Sequence, residues 1–182
     1  MSNGSGTQTE TTVGDHMCNA GQQVSEQYGR EDHPLGGYLA VIGAYSAVLG
    51  GLAALGRSRG VRLPKRVPVG DLALMAVATH KVSRTISKDS VTSPVRAPFT
   101  KFRGASGPGE VQEEVRGSGV QKALGELITC PFCLDQWVAT GFLAGLLAAP
   151  RATRWLAATF AVRAGADALQ FGYAALQKAA ED

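Results

Sequence analysis

Residues 35–56, LGGYLAVIGAYSAVLGGLAALG, run for 22 positions without one charged side chain. As a helix rising 1.5 Å per residue, the run covers about 33 Å, and the hydrocarbon core of a bilayer is about 30 Å thick. It is the clearest transmembrane helix in the chain. A buried helix of a soluble bundle is the competing reading, and the charge-free length favours the span. Gly43, Ala47 and Gly51 recur every four residues and give one face of small side chains that another helix can approach closely. Directly after it come Arg57, Arg59, Arg62, Lys65 and Arg66, with no acid among them. Such a basic flank belongs in the cytoplasm.

Upstream, residues 1–34 are rich in Gly, Ser, Thr, Gln and Glu and read as a disordered polar tail. Its His16 and His33 read as solvated histidines, because no ligand set clusters around them. The tail has no basic n-region of a cleavable signal, so the first apolar run is expected to stay as an anchor. With 45% hydrophobic residues and three cysteines in 182, the chain is neither a disordered polymer nor a disulfide scaffold. A net charge of +3 gives no reason to expect a nucleic-acid partner.

Downstream, the apolar signal weakens. Pro68 suits a helix start, but Asp71 and His80 bracket only Leu72–Thr79. Continuing to Ile86 gives enough length only if Lys81 and Arg84 snorkel, so this segment is a short tilted span or an interfacial helix. The interfacial reading is preferred, because both flanks are basic; it keeps Arg57–Arg66 and the later cysteines on the cytoplasmic side. Asp89–Thr129 is a polar connector, broken by Pro94, Pro98 and Pro108 and by Gly104, Gly107 and Gly109. Helices are expected to resume over Glu110–Arg116 and from Ser118 to Thr129, lying on the membrane surface. Leu134–Pro150 is the third apolar segment, with Gly141 and Gly145 in GxxxG spacing. After a turn at Pro150–Arg154, Trp155–Gln177 is the fourth. Trp137 and Trp155 fall near segment ends, at headgroup level.

The sharpest chemical signal is Cys130-Pro131-Phe132-Cys133. Pro131 suits the first helical position, which places Cys130 at the N-cap, where free backbone N–H groups favour a thiolate. Three readings stay open: a structural pair, thiol–disulfide exchange, or metal binding with His80 as third ligand and Asp135 as fourth. Two cysteines alone are an incomplete zinc set, and the βαβ context of soluble dithiol oxidoreductases is missing. Arg163 and Asp167, four apart on one helix, can face each other as an ion pair locking the bundle, in contact with Asp71 or His80. His80, Arg84 and Lys88, extended by Arg96, Lys101 and Arg103, form a basic stripe able to hold anionic lipid headgroups or simply to set topology.

The stretch ATHKVSRTISKDSVTSPVRAPFTKF, followed by GELITCPFCLDQWVATGFLAGL, resembles small bacterial membrane proteins of an uncharacterised domain family (DUF 1360). The positions that carry the resemblance are His80, Arg84, Asp89, Arg96, Pro98, Glu126, Leu127, Cys130, Pro131, Cys133 and Trp137. It covers roughly residues 69–175 and implies an architecture but no activity. In that light Arg84, Asp89, Arg96 and Glu126 read as structural polar residues. The expectation is an all-α membrane protein: a small bundle of four apolar helices, three or four spanning, behind a disordered N-terminal tail. Residues 35–56 form an additional transmembrane helix, and 69–177 a membrane domain with a polar connector at about 89–129. The expected role is that of a non-enzymatic, multi-pass component of the bacterial inner membrane, packing with itself or with a membrane protein partner. A membrane thiol–disulfide oxidoreductase using Cys130 and Cys133, and a zinc-stabilised module, are the alternatives.

Overall fold

The computed structural model describes residues 33–181; residues 1–32 of the polar tail, with His16 and Cys18, lie outside the described residues. Helix α1 spans Leu35–Ser58 and α2 spans Val69–Lys88. A 3-10 turn at Ser90–Thr92 and the short α3, Ser93–Arg96, lead into strands β1, Thr100–Gly107, and β2, Glu110–Val115. Helices α4, Gly119–Thr129, α5, Pro131–Ala148, and α6, Pro150–Glu181, complete the chain. Prolines set the helix starts. Pro68 precedes α2, Pro131 is the first residue of α5 and Pro150 the first of α6. Proline tolerates that position because its missing N–H would have no partner there.

The core lies where α2, α5 and α6 meet. Met75, Ala78, Phe142 and Ala157 are buried together, with Leu74, Val82, Val138 and Phe160 packed around them. On α2 these residues fall at 74, 75, 78 and 82, the spacing of one helical face. Asp71 binds Arg154 near the start of both α2 and α6, while Lys81 binds Asp167 further along both, so the two helices run parallel. Helix α5 runs against them. Its Pro131 and Asp135 share a groove with His80, and its Leu143 shares the same groove with Leu72. Helix α1 begins beside α4 and α5, with Tyr38 on Glu126 and Tyr45 on Thr140. The four long helices therefore alternate in direction.

Several sequence expectations change here. The fold is mostly helical but not all-α: Glu110–Arg116, expected as a helix, contains β2, paired antiparallel with β1. Pro108-Gly109, correctly taken as a helix break, is the two-residue turn of that hairpin, with Gly109 at φ +74°. Among the described residues two helices, α1 and α5, are long and apolar enough to cross a membrane, rather than three or four. Charges on α2 and α6 dilute their hydropathy, and those charges are used in packing. Pro150–Arg154 is not a turn but the first part of α6, and Ala149 alone makes the bend. Finally, α2 packs along α5 as part of the bundle. This puts Arg57–Arg66 and Cys130 at opposite ends of the helix layer, not at the same end as the interfacial reading of α2 required.

Candidate functional site

The CPFC corner is built by the junction of α4 and α5. Cys130 caps α5, its sulfur accepting the backbone N–H of Cys133 at 3.3 Å, as the proline at the next position led us to expect. Both cysteines are free thiols, and their sulfurs lie 2.7 Å apart. That is a short step from the roughly 2.05 Å of a disulfide. Cys133 is exposed, and Phe132 beside it is 83% exposed. Glu126, one turn earlier on α4, accepts the Tyr38 hydroxyl of α1 at 2.5 Å. Tyr45 accepts from Gln136 at 2.7 Å and meets the Trp137 ring edge-on at 5.1 Å. Trp137 is thus a packing residue between helices, whereas Trp155 is 78% exposed.

The geometry does not assemble the zinc set. Among the described residues no three His, Cys, Asp or Glu side chains gather to hold a metal ion. His80 and Asp135 line the groove between α2 and α5, and neither cysteine lines it. The two sulfurs therefore stand on another flank of α5 from the proposed third and fourth ligands.

A second polar cluster clamps the hairpin to the end of α2. The Arg96 side chain is fully buried and forks onto Glu113 of β2 at 2.6 and 3.3 Å. Its remaining N–H groups reach the carbonyls of Ile86 and Asp89 and the hydroxyls of Thr92 and Ser93. Arg84 forks onto Glu110 at 2.7 and 2.9 Å, and Arg103 binds Glu114. Ser90 donates its backbone N–H to Gly109 in the hairpin turn. Three cations of the basic stripe are therefore neutralised by the glutamates of one strand.

Arg163 and Asp167 both turn toward α2, but not toward each other. Asp167 takes Lys81 at 2.5 Å, and Arg163 takes Asp89 at 3.6 Å. Asp71 belongs to Arg154, at 2.7 Å through both oxygens. The single intrahelical pair expected from i, i+4 spacing is replaced by three ties between elements, because each side chain finds its opposite across the helix contact. Sequence reading missed Glu110, Glu113, Glu114, Lys81, Arg154, Tyr38 and Tyr45 as partners. One signal was present: Lys101 and Arg103 precede a Pro-Gly turn and Glu113 and Glu114 follow it, a complementary charge pattern of facing strands.

The small-residue spacings fare unevenly. Added side-chain atoms at Gly43, Gly51 and Gly141 would meet nothing within 4 Å, whereas Gly145 sits against Thr153. The close helix approach is at Gly37, where a Cβ would lie 2.6 Å from the Gly119 carbonyl oxygen.

Comparison with known proteins adds a family but no activity. The model of a family described as a protein of unknown function (DUF1360) matches residues 74–173, from α2 through most of α6. The sporulation protein YjcA of Bacillus subtilis (strain 168) is 27% identical over 94 residues, covering 50% of this chain and 80% of that protein. No solved structure matches. The matched residues contain the hairpin clamp, the CPFC corner and two of the three ties to α2, Lys81–Asp167 and Asp89–Arg163, and they leave Asp71 and α1 outside. With more than half of its length matched, the chain belongs to the DUF1360 family.

Proposed function

We propose that this chain is a multi-pass protein of the bacterial inner membrane that acts as a non-enzymatic structural or interaction module. The observation that carries the reading is α1: 24 residues, strongly apolar, with Gly37 its single buried residue. Leu39, Ile42, Val48, Leu49, Leu52 and Leu55 are all exposed along it. Water would oppose so large an apolar surface, while acyl chains or a neighbouring membrane helix cover it at no such cost. The charges of α2 and α6 support the same reading, since Asp71, Lys81, Asp89, Arg154, Arg163 and Asp167 serve as ties between elements. Arg57–Arg66 is exposed and free of acids, so anionic headgroups meet the protein there rather than at the paired stripe. Fractionation tests the proposal. The full chain should stay with membranes through alkaline carbonate and leave them only in detergent; release by carbonate overturns it.

A second reading has its own observation. The sulfurs at 2.7 Å form a dithiol at the helix-layer end opposite Arg57–Arg66. With that basic loop in the cytoplasm, the pair faces the oxidising side, where it can exchange with a partner disulfide. Both thiols are then oxidised to a disulfide, and the partner's disulfide is reduced to two thiols. Intact cells treated with a reductant and an impermeant maleimide decide the sidedness. Labelling of Cys130 or Cys133 without permeabilisation supports exchange, and labelling only after permeabilisation removes it.

A further inference from the structure

The groove between α2 and α5, about 490 Å³, changes character along its length. Leu72, Met75, Ala139 and Leu143 line one end; Thr79, His80, Ser83 and Asp135 line the other. The polar end is incomplete. Ser83 is 1% exposed, and its hydroxyl has no hydrogen-bond partner among the described residues. A buried hydroxyl without a partner is destabilising, and Ser83 lines the groove, so an acceptor there would relieve it. The carboxylate of Asp135 and the ring of His80 likewise have no hydrogen-bond or ion-pair partner among the described residues. Arg84, at the same end, is already forked onto Glu110, which cancels its charge.

We propose that this groove holds one aminophospholipid, with its ammonium on Asp135, its phosphate by Ser83 and His80, and one acyl chain along Leu72 and Leu143. The inference rests on the membrane reading above and names the lipid it selects. Length supports it. From Ser83 to Leu72 is about 16 Å along α2, close to half of the roughly 30 Å hydrocarbon core, which is the depth of one leaflet. Charge supports it too. A carboxylate with no ion-pair partner repels a headgroup that is only anionic and attracts one that carries an ammonium. An ammonium with N–H donors bonds that carboxylate directly, and a quaternary ammonium does not.

The test uses the full chain in mild detergent, mixed with phosphatidylethanolamine, phosphatidylcholine or phosphatidylglycerol and read by native mass spectrometry. The ethanolamine lipid should be retained about tenfold over the other two, the ratio one charge-assisted hydrogen bond supplies. Asp135→Asn should abolish that preference with helicity unchanged, and Ser83→Ala should weaken retention of all three lipids alike. Equal retention by the native chain, or a preference that survives Asp135→Asn, overturns the proposal. Carbonate release removes the membrane reading itself before any lipid is added. A carbonate-resistant chain without lipid preference removes this inference alone.

Discussion

Arg96 shows how much one side chain can organise. Its fork joins β2 to the end of α2, and its other donors close the turn that leads into the hairpin. Arginine suits the place because a planar guanidinium offers five donors in fixed directions; lysine offers three around one point. Glu113→Ala would leave that guanidinium buried without its counter-charge. Breaking such a pair from one side costs about 3–5 kcal/mol. The expected result is a matching loss of stability in detergent, read by thermal unfolding, together with new protease cuts between residues 97 and 116. Arg96→Lys should lose nearly as much despite keeping the charge. If it behaves like the native chain, the fork is not what holds the hairpin. Neighbouring Arg84 is 45% exposed in its side chain, so Arg84→Ala should cost no more than about 1 kcal/mol.

Among the elements, α1 and the hairpin mark the two extremes of what sequence can tell. Helix α1 is legible because a long charge-free run has few other outcomes, yet its docking point is not. Gly37, rather than the repeating Gly43 and Gly51, meets another helix, because only the first turns of α1 touch α4. Gly37→Leu should therefore push α1 off the bundle without unfolding either part. A short bifunctional maleimide joining Tyr45→Cys to Thr140→Cys, in a chain whose native cysteines are serine, measures this. Crosslinking should be efficient with Gly37 and largely lost with Leu. The hairpin was hidden for a different reason. Glu110–Val115 is polar, with too weak an alternation to outvote a helical reading, and its pairing is decided by a facing strand, Thr100–Gly107, that a helical window does not see. The CPFC cap was legible because it is local: Pro131 fixes the helix start and Cys130 follows from it. The partners of Arg163 and Asp167 were not, since i, i+4 spacing sees one helix and the true contacts lie on another.

At the scale of the molecule, the alternating direction of the long helices leaves bases at both ends but gathers most of the acids at one. Arg57–Arg66, Arg151 and Arg154 gather at one end; the hairpin, the CPFC corner and most acids gather at the other. The ties along α2 and α6 hold this arrangement, and the Asp71–Arg154 pair tests it by exchange. Asp71→Arg and Arg154→Asp alone should each lower the thermal midpoint, and the double variant should recover most of it. No recovery would mean that the two helices are not parallel neighbours. The same parallel pairing has a consequence for the way the protein is made. A ribosome releases α2 long before α6, so Asp71 and Lys81 leave the synthesis machinery some eighty residues ahead of Arg154 and Asp167. Until the last helix arrives, the half-made bundle holds an acid and an amine with no counterpart, a marked target for quality control. Chains stalled after Ala148 should be short-lived in cells, and replacing both residues with neutral ones, Asp71→Asn and Lys81→Met, should lengthen the lifetime of the fragment while shortening that of the finished protein.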